Sequence, residues 1–566
     1  MDKLYFLTRF SRLAVVFACM ALFLVACDKD DDESTTDNDI TLGKVADAMG
    51  GKELLASINT ITYSCDGYTY EYEQGIPGLP DPLTSNHYTY DFFAKLNERK
   101  IRMDHDQIEF NFPVPYTTEG PLTIINDKLG SVSKDFIWKS YYLGVRDPHA
   151  MFASEIEANL KNQKMANPIE LLKEVLTTYE RNDPVTSTDF MIDTRVEGVE
   201  IKLEINPTTL LPLKASITEA DFLQGDVPFE VVYEDWVTIG ETKYPSKLTY
   251  LLNGNEFKVE TLTNIKLNPT LNDELFVPEP VAHPIAYDEE QGDFGVYHTQ
   301  FYHRWNAWNI GWPEPVNDGA VDLGSMDLAP FGIASQYIGE DVKAIGRPDN
   351  RLWSLAIKTD EGIVMLDAPL NQKWTRSLYD AAKRAFPGEP IVATVATHFH
   401  HDHFAGIREA AYEAGKIYIG EESKDFLEQV LDSKQTLYPD NFAKNPRSVE
   451  IETISDVTYI NNGEVELHRL KPTNTTAVPH SKDMVVIYIP KYELLIQSDQ
   501  LWNGTFIHVW HGRTYKGYTP AAIAEQRNNA EYLLDYINEK GLKVSKIYAA
   551  HGGLGPVQDL HEVAGK

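Results

Sequence analysis

His398-Phe399-His400-His401-Asp402-His403 packs four of the chain's sixteen histidines, with an aspartate among them, into six consecutive positions. Such a run fits neither an ordinary surface nor a core. Imidazole and carboxylate are the side chains that bind a borderline cation such as Zn²⁺. The apolar residues 391–397 before it read as a buried strand, and residues 404–414 after it as the start of a helix. Ligands at a strand's end stand on a rigid base. The spacing H-x-H-x-D-H lets two histidines point one way and the Asp-His pair the other, which suits two metals side by side.

Three further residues downstream sit in the same kind of context. His480 lies in Val478-Pro479-His480-Ser481, just ahead of the apolar run 484–489. Asp499 ends the apolar run 494–498, where a carboxylate can give one oxygen to each of two cations. His551 follows the run 544–550 and precedes Gly552-Gly553, where backbone can approach a ligand site closely.

In this order, His398-x-His400-x-Asp402-His403, His480, Asp499 and His551 resemble the metallo-β-lactamase superfamily over roughly residues 320–560. Asp367, ending the run 362–366, matches that family's early structural aspartate. The resemblance implies an αβ/βα sandwich with its site at one edge of two sheets. It implies a first metal on His398, His400 and His480, a second on Asp402, His403 and His551, and Asp499 bridging them. Two Zn²⁺ are the implied cofactors, with Mn or Fe as substitutes, and the implied activity is a hydrolase in which the two zinc ions activate a water as hydroxide. Asp402 is the implied catalytic residue, accepting a hydrogen bond from the nucleophile and moving its proton. His401 fills the motif's variable slot, outside the ligand set, while His508 and His511 are candidates for the pocket lining. No cysteine stands near Asp499, unlike the cysteine-ligated β-lactamases, and His400 occupies the place of the flavodiiron glutamate. The ligand set is closer to glyoxalase II, lactonase and RNase Z types.

At 566 residues the chain exceeds one core, so two domains are the expectation, with three as the alternative. A formal net charge of −34 repels phosphate backbones and disfavours nucleic acid as a partner. Residues 1–26 read as a signal peptide: Lys3, Arg9 and Arg12 precede an apolar run, 13–25, too short to span a bilayer. The run ends in Leu24-Val25-Ala26-Cys27, which resembles the bacterial lipobox and implies lipidation of Cys27, hence a membrane partner and a cell-envelope, outer-membrane location. Residues 27–40 then form an acidic tether similar to the surface-export signal of Bacteroidetes lipoproteins. Past it only Cys65 remains, so no intramolecular disulfide is available.

Residues 41–285 read as strand-rich, with helical patterns at 45–58 (split by Gly50-Gly51) and 168–181, the latter capped by Asn167 and Pro168. Residues 247–252 and 257–262 flank Asn253-Gly254, a preferred two-residue hairpin turn. This segment is similar to the curved-sheet lipoprotein carriers of the periplasm and carries no catalytic motif. An aromatic connector, 286–318, with a tryptophan-rich stretch at 302–312, leads into the domain 319–566, whose best helical pattern is 520–540; the stretches 302–312 and 502–510 are candidate pocket walls. The expected fold is therefore α/β (α+β overall), a curved antiparallel β-sheet domain with helices followed by a metallo-β-lactamase sandwich. The expected function is a lipid-anchored metal-dependent hydrolase of a small-molecule ester, lactone, thioester or amide. The alternatives are a true β-lactamase, or a binding or carrier lipoprotein whose metal site is vestigial.

Overall fold

The computed structural model describes residues 40–279 and 338–566 apart from shorter stretches, of which 134–148, 179–190 and 502–519 are the longest. The signal, Cys27 with its tether, the aromatic connector, residues 502–510, His508 and His511 therefore lie outside the described residues.

In the N-terminal part, helices Leu42–Ala48 and Lys52–Ser57 are separated at Gly50-Gly51, whose φ values of 116° and 101° end the first helix. Among the described residues, thirteen strands, all antiparallel, then form one sheet. Thr60–Tyr72 and Asn255–Leu267 pair at its middle, with His149–Ala150 at one end and Met191–Val196 at the other. One face alternates into a core: Ile61, Tyr63 and Cys65 are buried with Phe92, Tyr244 and Leu248. Helices Ala153–Ala166 and Pro168–Thr178 cover that face through Leu160, Met165, Ile169, Leu172 and Val175. As the sequence predicts, the Asn167 side chain caps the second helix, accepting from the Glu170 amide at 3.4 Å. Asn253 and Gly254 both have positive φ, 51° and 77°, the turn that joins Thr242–Leu252 to Asn255–Leu267.

The C-terminal part has four layers. Strands Val342–Arg347, Leu352–Lys358, Ile363–Leu366, Ile391–Val395, Lys416–Gly420 and Glu450–Ile454 make one sheet, antiparallel through the first three and parallel thereafter. Strands Val457–Ile460, Val465–Leu470, Met484–Ile489, Leu494–Ser498, Lys546–Ala549 and Gly553–Pro556 make the other. Ile363–Leu366, Met484–Ile489 and Leu494–Ser498 are buried at every position, and Ile391–Val395 nearly so, because both faces are covered. Val364, Leu366, Ala393 and Val395 meet Val485, Ile487, Leu494 and Ile496 between the sheets. The alternate residues Ile363, Met365 and Ile391 meet Leu378, Ala382, Ala410 and Leu427 on the outer helices. Met484, Val486 and Leu495 likewise meet Ala530, Leu533 and Leu560, from helices Pro520–Lys540 and Val557–Ala564. The result is the αβ/βα sandwich that the sequence implies.

One local expectation changes. The predicted helix after the histidine run starts inside it: His401–Phe404 is a single turn, and Ile407–Ala414 is a separate helix. The break is set by the neighbouring loop, since Ala368 donates to the His403 carbonyl (2.8 Å) and accepts from the Gly406 amide (2.7 Å).

The sheet and the sandwich are joined by a hairpin tip. Phe222 and Leu223, between Pro212–Asp221 and Gly225–Ile239, are fully buried among the sandwich helices. The Asp226 amide donates to the Lys434 carbonyl (2.7 Å), and the Gln435 side chain donates to the Asp221 carbonyl (2.8 Å). Gly225 sits there at φ +86°, and a Cβ would run into the Lys434 backbone.

Candidate metal centre

Strand Ile391–Val395 holds the histidine run at its end. Buried on both sides, it fixes the point from which Thr397 and His398 emerge. His398, His400, His401 and His403 are all at most 3% exposed, so none is a surface decoration. His480 comes from just ahead of Met484–Ile489, Asp499 from the residue after Leu494–Ser498, and His551 from just past Lys546–Ala549. All seven sequence-predicted residues converge at one edge of the two sheets.

They form two groups, in each of which the candidate ligand atoms lie within 4.8 Å of one another. The first is His398, His400 and His480, with His480 Nε2 3.2 Å from His400 Nδ1. The second is Asp402, His403, Asp499 and His551. His403 Nε2 faces Asp499 Oδ2 at 2.9 Å and Asp402 Oδ2 at 3.4 Å; His551 Nε2 faces Asp402 Oδ2 at 3.2 Å and Asp499 Oδ2 at 3.3 Å. Asp499 Oδ2 is also 3.9 Å from His480 Nε2, which puts this carboxylate between the groups.

The Nδ1 atoms of His403 and His398 and the backbone of His480 are held by neighbouring residues. His403 Nδ1 meets Asp367 Oδ2 at 3.0 Å. The Thr397 hydroxyl donates to the same oxygen (3.1 Å) and contacts His398 Nδ1 (3.0 Å), while the Thr397 amide donates to Asp367 Oδ1 (2.8 Å). The His480 amide donates to the Gln500 side-chain oxygen (2.7 Å), whose amide group donates to the Asn529 carbonyl (3.0 Å). Such contacts fix ring orientation and tautomer. Thr397, Ser498 and Gln500 are absent from the sequence-predicted set; their adjacency to His398 and Asp499 was the one signal that marked them. His401 stands apart from both groups, its Nδ1 3.9 Å from Glu73 Oε2 in the N-terminal part.

The electrostatics divide the groups. Burial, reinforced by His403 and His400, holds His398 well below the usual imidazole range, in the neutral form that ligates a cation. His480 is likewise lowered by burial. Burial also opposes charge on His403 and His551, but the carboxylates outweigh it: Asp499 and Asp402 hold His403 well above its ordinary range and push His551 up to about 9. Both carboxylates are held well below the usual range by those histidines, against the penalty of burial. Two buried carboxylates facing imidazole nitrogens require positive charge among them, supplied by protons or by a cation. The donor set fits a cation. His398 Nε2 and Asp499 Oδ1 are buried with no hydrogen-bond partner among the described residues, and both belong to the facing groups.

Residues 348–551 match the profile of the Metallo-beta-lactamase superfamily. A stretch of 67 residues, 11% of this chain, is 33% identical to a linear primary-alkylsulfatase of Pseudomonas sp, and spans about a tenth (10%) of that enzyme's length. Similar solved structures include the DIM-1 metallo-beta-lactamase, at 16% identity over 40% of this chain and 92% of that one, with a TM-score of 0.28. They also include the FIM-1 metallo-beta-lactamase of Pseudomonas aeruginosa in its mono-zinc form, at 14% identity over 40% and 88%, with a TM-score of 0.27.

Proposed function

With residues 348–551 identified as a metallo-β-lactamase-superfamily domain, we propose that the chain is a metal-dependent hydrolase of a small-molecule substrate, tethered to the bacterial cell envelope through Cys27. The observation that carries the reading is the convergence of seven side chains into two facing groups that meet at Asp499.

His398, His400 and His480 would hold one divalent cation and Asp402, His403 and His551 a second, with Asp499 between them; Zn²⁺ suits the nitrogen-rich set. When bound, such a pair supplies Lewis acidity towards a substrate oxygen and lowers the pKa of water. The protein's own contribution is placement. Asp367 and Thr397 fix the rings of His403 and His398, and Gln500 fixes the backbone at His480. Asp402 stands at the rim of the second group, its side chain 13% exposed where the histidines are sealed, so its carboxylate can take a proton from an attacking water.

The substrate class we propose is an ester, lactone, thioester or amide. The similarity to an alkylsulfatase adds sulfate esters to the compounds to be tried. The net charge of −34 supports a small substrate over nucleic acid. The sequence Leu24-Val25-Ala26-Cys27 supports the lipid anchor, which a Cys27→Ala change should release from the membrane fraction. The deciding experiment is metal analysis of the purified chain, followed by hydrolysis assays across these classes and β-lactams, with and without chelator. Well under one equivalent of Zn, Mn or Fe per chain, and no chelator-sensitive turnover, would end the proposal.

A further inference from the structure

Glu73 follows strand Thr60–Tyr72 of the N-terminal sheet, and its amide donates to the Leu79 carbonyl (3.1 Å). Its backbone is left-handed, φ +54°, a conformation that costs a glutamate more than it costs glycine or asparagine. Its side chain is wholly buried, and Oε2 lies 3.9 Å from Nδ1 of His401, itself 1% exposed. The approach is locked from the sandwich side. Gly78 packs so tightly beneath the Phe426 ring that a Cβ would come within 2.8 Å of it. The Gln224 side chain, on the tip that also buries Phe222 and Leu223, donates to the Gly78 carbonyl (3.2 Å).

His401 is placed where it can act on both metal groups without belonging to either. It lies between His400, of the first group, and Asp402, of the second. It also opens the single turn His401–Phe404 from which Asp402 and His403 project. Fixing its side chain fixes the backbone on which three candidate ligands hang. A buried carboxylate is a costly way to fill space when an apolar side chain would serve. Strain at φ and desolvation both oppose Glu73 where it is, and neither is needed for packing.

We propose that Glu73 is a positioning residue of the metal centre, supplied by the N-terminal sheet and acting through His401. The sheet is then a structural part of the hydrolase site. The inference rests on the metal-centre reading above.

The test compares full-length wild type with Glu73→Gln, Glu73→Ala, His401→Gln and the Glu73→Gln/His401→Gln double variant. Zn²⁺ affinity is measured by competition with a chromophoric chelator, and ligand geometry by the visible spectrum of the Co²⁺-loaded protein. Glu73→Gln, which keeps shape and removes charge, should weaken Zn²⁺ binding about tenfold or more and shift the Co²⁺ bands. His401→Gln should do the same, and the double variant should lose little beyond either single change. If Glu73→Ala does not fold, Glu73→Gln carries the comparison. Wild-type affinity and an unchanged Co²⁺ spectrum in Glu73→Gln would overturn the inference, as would losses that simply add in the double variant. Both results leave the metal centre standing, whereas a wild-type chain that takes up no Zn²⁺ removes the metal centre and this inference together.

Discussion

Asp367 Oδ2 lies 3.0 Å from Nδ1 of His403, while Oδ1 of the same carboxylate receives the Thr397 amide at 2.8 Å. Asp367 and Thr397 follow two adjacent parallel strands, Ile363–Leu366 and Ile391–Val395. One buried carboxylate thus sets the register of the strand ends and orients an imidazole of the second group. Its backbone is left-handed (φ 57°), and its amide donates to the Val395 carbonyl at 2.8 Å.

Asp367→Asn keeps this shape and removes the charge. The expected result is a 10- to 100-fold loss of metal affinity confined to the second group, roughly the effect of removing an outer partner of a ligating histidine. Chelator competition that resolves two binding steps checks it. An equal loss at both steps, or at neither, would contradict the assignment of Asp367 to His403.

Thr397→Val tests the hydroxyl. Oγ1 touches Asp367, His398 Nδ1 and the Ser498 hydroxyl (3.2 Å), and the residue is fully buried. Valine preserves volume but leaves buried polar partners short of a hydrogen bond, which costs about 1–3 kcal/mol. Urea unfolding of the metal-free protein should show that loss. Affinity at the first group should fall as well, because the His398 ring loses its orientation.

What the sequence revealed, and what it hid, follows from the range of the interactions. His398, His400, Asp402 and His403 were legible because so many ligating side chains crowded into six positions have few structural uses; that cluster gave meaning to His480, Asp499 and His551, and the strand ends Val395, Ser498 and Ala549 converge once the two sheets face one another. The sandwich was legible through the ordered ligand motif and the resemblance it carries, not from the strands themselves, several of which hold charged or polar residues, such as Lys343, Glu452 and Gln497. The thirteen-stranded sheet was legible as strands but not as one sheet, because pairing Thr60–Tyr72 with Asn255–Leu267 depends on contacts some two hundred residues apart. Glu73 and His401 were not legible as neighbours at all. A glutamate after a strand has no periodicity to mark it, and only the docking of the two parts brings it to the histidine run.

Glu260 gives the N-terminal sheet an acid limit of its own. It is 1% exposed, 2.8 Å from Lys258 Nζ, and accepts from the hydroxyls of Tyr250 (2.8 Å), Tyr88 (2.9 Å) and Tyr90 (3.0 Å). Burial opposes its charge, but Lys258 and the tyrosines outweigh burial and hold it below the ordinary value of 4.5. A carboxylate depressed on folding adds stability that is present above its unfolded pKa and lost as pH falls through the folded one. Glu260→Gln should therefore cost about 3–5 kcal/mol at pH 7, where Lys258 loses its buried counter-charge. That difference from wild type should shrink below about pH 4.5. Denaturant unfolding of the metal-free proteins at several pH values checks both; a difference that grows in acid would reverse the sign and refute it.

Phe222 tests whether the sheet and sandwich are one cooperative structure. It belongs to the sheet by sequence yet is fully buried among the sandwich helices. Phe222→Ala should cost about 3–5 kcal/mol from lost burial and the remaining cavity. The melt should also split, the sandwich and sheet unfolding at separate midpoints, if this tip is the main coupling between them. Calorimetry distinguishes a single lowered transition from two.

Asp499 and His398 should differ in how much metal their loss removes. Asp499 Oδ2 faces His403 and His551 of the second group and His480 of the first, whereas His398 offers its candidate ligand atom to the first group. Asp499→Asn removes the negative charge shared by both groups and should leave well under one equivalent bound. His398→Ala should retain close to one, held by the second group. The same asymmetry should appear in stability, since each occupied site adds about 2.7 kcal/mol when free metal stands at a hundred times its Kd. Zn²⁺ should therefore raise the thermal midpoint most in wild type, less in His398→Ala and hardly at all in Asp499→Asn. Atomic absorption on the dialysed proteins, run beside the melts, decides it, and equal stoichiometry in the two variants would show that Asp499 does not join the groups.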